Sequence, residues 1–276
     1  EGAKTLLDAG IRVTVEHSKT RAIAMQGYID AGVETAPENS WPSAPSNAII
    51  FGLKELPDDA TPLPHRHIMF GHAFKGQHSG IALLNRFKAG GGTLYDLQYL
   101  TDESGRRVAA FGYWAGFAGA AVTLMAWAAQ KRDKSCAPVA PYVNKDAMLA
   151  DLAAQIDAAQ SPRPTALVIG ALGRVGAGVA DLCAAMDVPI TKWDMAETAS
   201  GGPFPEILEH DLFFNCILAR ETTPVFVPKS ALTTPRKLTA IGDIACDPDS
   251  NFSPIKVYDR TTTWDAPALR VHDAPP

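Results

Sequence analysis

The chain has 276 residues, of which 46% are hydrophobic and 20% are charged, and this length is sufficient for two domains that each bury a core. The formal net charge of -5 and the lack of a basic stripe argue against a nucleic-acid-binding protein. No uninterrupted apolar segment is long enough to span a bilayer and no signal peptide precedes Glu1, so we expect a cytoplasmic protein without a membrane span. The four cysteines lie far apart without Cys-x-x-Cys spacing, which is typical of reduced thiols.

The first part of the chain alternates short apolar runs with amphipathic segments. Strands that alternate with helices are typical of parallel sheets, so the pattern predicts an α/β domain. We expect helices over residues 1–10, near 28–32 and over 79–88, and strands over 12–16, 48–53, 68–71 and 93–99. A helix directly before the first strand, and a short strand over 268–271 close to the other end, indicate a fragment or the ordered part of a longer protein.

Polar side chains follow two of these strands. Lys54 and Glu55 come directly after strand 48–53, and His72 and Lys75 follow strand 68–71. Ligands of open α/β sheets gather beyond the carboxyl ends of the strands, so these positions suit a catalytic site, with His72 as a general acid or base. A solvated loop pair is the alternative for Lys54 and Glu55, and position alone leaves it open.

Three histidines, His65, His67 and His72, lie close together and raise the question of a metal site. No cysteine or carboxylate lies among them, and their spacing suits neither one face of a helix nor a zinc finger. We therefore expect no bound metal.

Two adjacent arginines, Arg106 and Arg107, follow a hairpin-like turn over residues 102–105 and precede a buried, glycine-spaced segment. A guanidinium group can bind a carboxylate through two parallel hydrogen bonds, so this pair suits recognition of an anionic substrate. The alternative is a pair of surface side chains that form ion pairs.

The second part of the chain contains a strand, a glycine turn, a helix and a further strand. The turn carries Gly170, Gly173 and Gly176, and Asp194 ends the next strand 18 residues after Gly176. Backbone N–H groups of such a turn can bind a pyrophosphate, and the carboxylate can accept a ribose hydroxyl, which favours dinucleotide binding over a bare strand-to-helix turn. The predicted helices span residues 114–130, 145–159 and 175–186, and the strands 166–169, 189–194, 211–218 and 237–243.

Several motifs together resemble those of the lysine-forming saccharopine dehydrogenases, which are relatives of alanine dehydrogenase and the transhydrogenase nucleotide-binding subunits. The resemblance covers nearly the whole chain in matching order and is more specific than the three glycines alone. It rests on "GLKELP" (52–57), "HIMFGHAFKGQ" (67–77), "GTLYDLQYL" (92–100), "GRRVAAFGYWAGFAGAA" (105–121), "IGALGRVGAG" (169–178), "KWDMAETASGGPF" (192–204) and "FNCI" (214–217).

The resemblance implies an α/β protein with two Rossmann-like domains, mainly parallel sheets and an active site in the cleft between the domains. The expected division is a substrate domain over 1–113, a connecting helix over 114–130 and an NAD-binding domain over 131–276. By motif, Lys54 and His72 resemble the catalytic pair. The residues that resemble substrate-binding or charge-tuning positions are Glu55, Lys75, Gln77 and Arg107, with Arg106 beside them. Gly173, Arg174, Asp194, Thr198 and Ile244 match contacts to NAD, and Gly170, Val175, Gly176 and Leu218 complete the expected cofactor set.

The implied reaction is oxidation of the secondary amine of saccharopine by NAD, followed by hydrolysis of the imine to L-lysine and 2-oxoglutarate. Lys54 would accept the amine proton, and His72 would move protons while water adds to the imine. Basic side chains suit a substrate with three carboxylates, and Asp194 would repel a 2′-phosphate, so NAD is expected instead of NADP. The expected protein is a monomer or a homodimer.

The sequence departs from the family pattern at positions that concern charge and cysteine chemistry. Gln98 stands where an acidic residue is expected, which changes the charge near the catalytic pair. Val175 stands where some relatives have cysteine, so a disulfide bond to Cys216 is excluded. The family's first strand with its substrate-binding arginine and its C-terminal "DNLP"-like segment are not in the sequence. Two alternatives stay open, an alanine-dehydrogenase-like enzyme and a nucleotide-binding fragment without turnover.

Overall fold

A computed structural model describes residues 1–19, 21, 23–53, 56–57, 59–71, 73, 78–246, 248 and 250–272, and of His78 and Ser79 only the backbone. The chain divides into two compact units, Glu1–Ala110 and Phe111–Pro276. Lys54, Glu55, His72, Lys75 and Gln77, on which the predicted catalytic and substrate sites depend, lie outside the described residues.

The first unit contains short parallel strands and helices that alternate along the chain. Its helices are α1 (Gly2–Asp8), α2 (Met25–Asp30) and α3 (His78–Gly90), and its strands are β1 (Thr14–Glu16), β2 (Glu34–Ala36), β3 (Ile49–Phe51), β4 (Arg66–Met69) and β5 (Thr93–Asp96). Strands β1 and β2 form one parallel pair, and β3, β4 and β5 form a parallel sheet in that order. The carboxyl ends of β3, β4 and β5 therefore lie at one edge, because all three strands run in the same direction.

His67 lies on β4 within the buried interior of the first unit. Its ring is 1% exposed and meets Trp41 and Phe87 edge to face, with ring centroids 5.3 and 5.2 Å away. Burial, together with the neighbouring charges of His65 and Arg86, lowers the pKa of His67 from 6.5 to about 4. The imidazole is therefore neutral in the folded protein at physiological pH.

Acid should destabilise the first unit through His67. The folded-state pKa lies below the unfolded value, so its contribution to stability is complete above pH 6.5 and is lost as the pH falls toward about 4. The loss should amount to roughly 3 kcal/mol at the acid end. A His67→Phe variant keeps an aromatic ring between Trp41 and Phe87, and its urea midpoint should fall less between pH 7 and pH 4.5. A His17→Gln variant, at an exposed position, should keep the wild-type pH dependence. An equal fall of the urea midpoint between pH 7 and pH 4.5 in the wild type and His67→Phe would refute this role of His67.

The second unit is built on a four-stranded parallel sheet. Its helices are α4 (Gly112–Gln130), α5 (Lys145–Ala158), α6 (Arg174–Ala185) and α7 (Met195–Thr198), and its strands are β6 (Ala166–Ile169), β7 (Ile190–Trp193), β8 (Leu212–Asn215) and β9 (Ala240–Asp243). The strand order is β7-β6-β8-β9, and every pairing is parallel. Because the chain leaves β6 for β7 on one side and later returns to β8 on the other, the strand order reverses between β6 and β8. In open α/β sheets this reversal marks the ligand crevice.

Helices α4 and α6 approach each other through glycine. A Cβ atom on Gly116 would overlap the carbonyl oxygen of Val175, and a Cβ atom on Gly178 would overlap the carbonyl oxygen of Tyr113. The core beside this contact includes Phe117, buried on α4. Gly112 and Gly116 therefore permit close packing of α4 against the start of α6. None of the helices among the described residues combines the length and apolarity needed to cross a membrane.

The α/β class with parallel sheets is confirmed, and most predicted elements fall within a few residues of the observed ones. The short helix expected near 28–32 lies earlier, over Met25–Asp30, and Gly32 adopts a left-handed conformation after it. The strand β2 had no alternating pattern that would predict it. The predicted strand over 268–271 is wrong, because that segment is irregular chain that joins no sheet among the described residues.

Candidate functional site

The candidate site of the second unit lies at the carboxyl edge of its sheet. Ile169 pairs in register with Trp193 and with Asn215, and Asn215 pairs with Asp243. The four strands therefore end at the same level, and the residues that follow them form one continuous edge. The glycine turn follows β6 at the centre of this edge, directly at the reversal of strand order.

The glycine turn has a conformation that side chains would prevent at two positions. Gly170 has φ +83, and a Cβ atom there would lie 2.8 Å from Cγ2 of Ile217. A Cβ atom on Gly176 would lie 2.5 Å from Cα of Ala171 and would overlap the oxygen of Gly170. Gly173 caps α6 with φ -77, and its nearest neighbour would be 3.4 Å from an added Cβ atom. Gly170 and Gly176 are thus required by the fold itself, whereas Gly173 leaves space above the turn.

Asp194 holds the glycine turn as well as the start of α7. Its Oδ2 accepts a hydrogen bond from the Leu172 N–H at 3.0 Å, and its Oδ1 accepts one from the Met195 N–H at 2.9 Å. The side chain of Glu197 accepts the Asp194 N–H at 2.7 Å, which completes a capping box. Asp194 therefore keeps its carboxylate beside the turn, and both oxygens retain capacity for a further donor.

The remaining cofactor candidates lie along the same edge. Arg174 and Val175 begin α6 and are partly buried, and the hydroxyl of Thr198 donates to the Asp194 carbonyl at 2.8 Å. Leu218 follows β8 and is 81% exposed. Ile244 follows β9, where its N–H donates to the Asn215 carbonyl at 3.1 Å. The structure thus brings together the whole predicted cofactor set after the four strand ends of one sheet.

These residues fit a dinucleotide. Gly170 and Gly176 carry no side chain at the two points of the turn where a Cβ atom would collide with neighbouring atoms. Leu172, at the tip of the turn, is 82% exposed. The amino end of α6 follows directly, where backbone N–H groups and the helix dipole favour a phosphate. Gly170, Gly173 and Arg174 would hold the pyrophosphate, and Asp194 would accept a ribose hydroxyl.

The cysteines of this unit are all free thiols. Burial raises the pKa of Cys183 and of Cys216 to about 12, so both remain protonated at neutral pH. A protonated thiol is a poor nucleophile and a poor metal ligand. Among the described residues, no three His, Cys, Asp or Glu side chains converge as a metal site would require.

The first unit places a carboxylate at the carboxyl edge of its sheet. Asp96 ends β5, and its Oδ1 accepts hydrogen bonds from the N–H groups of Gly71 at 3.2 Å and Gln98 at 3.0 Å. No described group donates to the buried Oδ2 of Asp96 or to the side-chain oxygen of Gln98. Asp96 therefore places a carboxylate against Gly71, which directly precedes His72 in the chain. The uncharged side chain of Gln98 follows two positions after Asp96.

Arg106 and Arg107 lie on the strand-like return of the predicted hairpin. Thr101 and Arg107 form an antiparallel bridge, and the carboxylate of Asp102 accepts the Arg106 N–H at 2.9 Å. Gly105 adopts φ +78 at the turn, as the hairpin prediction requires. Both arginines are exposed.

Three residues at these edges had not been singled out as functional candidates from the sequence. Asp96 ends the short strand β5, Asn215 ends the buried strand β8, and Asp243 ends the partly buried strand β9. The available signal was a polar residue at the last position of such a run, since ligands gather at the carboxyl ends of parallel strands. That signal is weak without the register, because it is the register that places Asn215 beside Asp243.

Comparison with known proteins gives a match to one family model and a likeness to one solved structure. Residues 1–118 match the family model "Alanine dehydrogenase/PNT, N-terminal domain". A solved structure of L-alanine dehydrogenase has a TM-score of 0.49 and 15% sequence identity to the chain, with 86% of this chain and 65% of that chain covered.

Curated relatives match over almost all of the chain. The saccharopine dehydrogenase [NAD(+), L-lysine-forming] of Schizosaccharomyces pombe is 43% identical over 98% of this chain and 76% of its own length. The protein of the same name from Yarrowia lipolytica is 45% identical over 97% of this chain and 75% of its own length. The chain thus spans about three quarters of these relatives, and it belongs to the family of NAD(+)-dependent, L-lysine-forming saccharopine dehydrogenases.

Proposed function

We propose that the protein interconverts saccharopine, NAD and water with L-lysine, 2-oxoglutarate, NADH and a proton. The observation that carries the proposal is the identity of 43–45% to enzymes named for this reaction, over 97–98% of the chain. The glycine turn and Asp194 agree with it, because they form a cradle for the dinucleotide that such a reaction needs. Bound NAD would accept the hydride from the carbon that carries the substrate nitrogen.

The chain's own residues would then bind the substrate and move its protons. We propose Lys54 as the group that accepts the proton of the secondary amine, and His72 as the group that transfers protons during addition of water to the imine. Glu55 would limit the excess of positive charge beside Lys54. The substrate carries three carboxylates, for which we propose Lys75, Gln77, Arg106 and Arg107 as partners.

An assay in the reductive direction tests the function. Oxidation of NADH should require L-lysine and 2-oxoglutarate together, and omission of either should abolish it. Turnover with pyruvate and ammonia instead would indicate an alanine-dehydrogenase-like enzyme. Binding of NADH without turnover of either substrate pair would indicate a nucleotide-binding protein that has lost the reaction.

Replacement of Asp194 by asparagine should change the preference between NADH and NADPH. The amide keeps one acceptor oxygen for the Leu172 N–H but removes the negative charge that would repel a 2′-phosphate. Loss of a charged hydrogen bond to the ribose is worth about 1.5–3 kcal/mol. We expect the ratio of kcat/KM for NADH to that for NADPH to fall by about 10- to 100-fold.

A suitable control for this change is Asp187→Asn. Asp187 is exposed after α6 with φ +54, a conformation that asparagine tolerates. This control should leave the cofactor ratio unchanged. An unchanged ratio in Asp194→Asn itself would remove the carboxylate from cofactor selection.

We further propose that the protein is a monomer or a homodimer. Sedimentation equilibrium of the full chain distinguishes these states from larger assemblies. A larger assembly would contradict the proposal without bearing on the reaction.

A further inference from the structure

A hydrogen-bonded cluster of three side chains lies at the carboxyl ends of β8 and β9. Asn215 is completely buried, and its Nδ2 donates to Oδ1 of Asp243 at 2.9 Å. The hydroxyl of Tyr258 donates to Oδ2 of the same carboxylate at 2.7 Å. Asp243 thereby joins the ends of two neighbouring strands to a segment from later in the chain.

That later segment is itself attached to the body of the second unit. Val227 and Ile255 form a parallel bridge, and the Lys256 N–H donates to the Val227 carbonyl at 2.9 Å. The buried Ile255 also packs in the core beneath the sheet. Tyr258 therefore holds the Asp243 carboxylate from a fixed position.

The cluster sets the course of the backbone directly after β9. The Cys246 N–H approaches Oδ1 of Asp243 at 3.4 Å, and the Ile244 N–H donates to the Asn215 carbonyl at 3.1 Å. Cys246 has φ +45, which is unfavourable for a residue with a side chain. Such a conformation persists where surrounding contacts fix it, and it is concentrated at functional sites.

The order of the strands indicates which half of a dinucleotide would lie near this cluster. Asp194 follows β7, on one side of the glycine turn after β6, while β8 and β9 lie on the other side. The carboxylate after the second strand takes the adenosine ribose, and the pyrophosphate lies at the turn. The nicotinamide half must then extend toward the ends of β8 and β9.

We propose that Asp243, held by Asn215 and Tyr258, is a positioning residue that fixes the backbone of Ile244 and Cys246 beneath the nicotinamide half of the cofactor. The inference rests on the proposed function and assigns the cluster a part in hydride transfer. Asp243 acts through the backbone it holds and needs no contact with the substrate. Asn215 depends on it in turn, because a buried amide without its acceptor is costly.

Tyr258→Phe is the decisive variant, since it removes one hydrogen bond and keeps the ring. We expect kcat to fall on the order of 10-fold, because small displacements of reacting groups reduce rates strongly. The dissociation constant of NADH, measured by its fluorescence, should change less than about threefold, because the adenosine and pyrophosphate contacts remain. The isotope effect on kcat with NADH dideuterated at C4 should rise as hydride transfer becomes slower.

Tyr142→Phe is the matched control, because the Tyr142 hydroxyl also donates to a carboxylate, that of Asp151 on α5. It should leave kcat and the isotope effect unchanged. Asp243→Asn should retain a higher kcat than Asp243→Ala. The asparagine oxygen can accept a hydrogen bond from Asn215, and the Tyr258 hydroxyl can rotate to accept one from the asparagine amide group.

Hydrogen exchange of the cofactor-free protein gives a readout that is independent of turnover. The peptide with Ile244 and Cys246 should exchange about 10-fold faster or more in Tyr258→Phe, as expected for loss of one hydrogen bond to a carboxylate. Unchanged exchange together with unchanged kcat would overturn the positioning role. A wild-type protein that binds NADH but does not turn over lysine and 2-oxoglutarate would overturn the proposed function. In that case, faster exchange together with an altered nicotinamide emission in Tyr258→Phe would still support the positioning role of Asp243.

Discussion

A Gly176→Ala variant should lose both stability and affinity for NADH. The added Cβ atom would lie 2.5 Å from Cα of Ala171 and would overlap the oxygen of Gly170, so the start of α6 must move away from the turn. Overpacking of this kind costs about 1–3 kcal/mol. The displaced N–H groups would also lose a hydrogen bond to the pyrophosphate, which is worth about 1.5–3 kcal/mol for a charged acceptor. NADH affinity should fall by about 10- to 100-fold.

Gly173→Ala separates the two effects within the same turn. Its Cβ atom would meet the oxygen of Gly170 at 3.4 Å, an ordinary contact, and its φ of -77 suits alanine. The urea midpoint should therefore stay close to that of the wild type, while NADH binding weakens because the methyl group occupies space above the turn. Gly27→Ala in α2, where an added Cβ atom meets nothing within 4 Å, should leave NADH binding unchanged.

Thermal or urea unfolding and NADH titration of the three glycine variants provide the measurement. A Gly176→Ala protein with wild-type stability and wild-type affinity would show that the turn tolerates a side chain at this position. Equal losses of stability in Gly173→Ala and Gly176→Ala would contradict the different geometry of the two positions.

The glycine turn could be predicted from the sequence because its determinants are local. A buried strand, glycines at fixed spacing and a following helix are all contained in residues 166–185, and the structure reproduces that order. The hydrogen bond from Leu172 to Asp194 could not be predicted in the same way. It requires β6 and β7 to be neighbours in register, which is a property of the assembled sheet.

The environment of the glycines in α4 could likewise not be inferred from their spacing. Small residues along a helix indicate close packing but do not identify the partner. Only the fold places Gly116 against Val175 and Gly178 against Tyr113. The error over residues 268–271 has a related cause, since a short apolar run becomes a strand only where a free sheet edge can pair with it.

The Asp243 cluster illustrates the same limit at the candidate site. Asn215 and Tyr258 are far apart in sequence, and each alone is an unremarkable polar residue. Their common acceptor becomes visible only when β8 pairs with β9 and the segment after Ile255 returns to the strand ends. Resemblance to a family identified the cofactor, whereas the packing of this chain identified a group that would orient it.

A Lys54→Met variant should retain NADH binding and lose most of its turnover. Methionine keeps an unbranched chain of similar length but cannot accept the proton of the secondary amine. General base catalysis contributes about 10²- to 10⁴-fold, so kcat for saccharopine oxidation should fall within that range. The dissociation constant of NADH should stay within about threefold, because the dinucleotide cradle lies in the other unit.

The pH dependence distinguishes a lost base from a lost contact. A lysine base must be neutral to accept a proton, so the wild-type rate of saccharopine oxidation should fall as the pH drops and the group that accepts this proton becomes protonated. That acid limb should be absent in Lys54→Met, whereas a variant that only weakens substrate binding would keep it. Lys88→Met, at an exposed position in the last turn of α3, is the matched control. It should keep the wild-type rate of saccharopine oxidation and the acid limb of the pH profile.

The combination of these results decides the role of Lys54. A large loss of kcat with the acid limb removed and NADH binding intact would assign the base to Lys54. Loss of rate with the limb retained would transfer that role to another group, for which His72 is the first candidate, and Lys54 would then bind a substrate carboxylate. Normal turnover in Lys54→Met would remove Lys54 from the reaction altogether, while the assignment of the dinucleotide site would stand, because it depends on Gly170, Gly176 and Asp194 in the second unit.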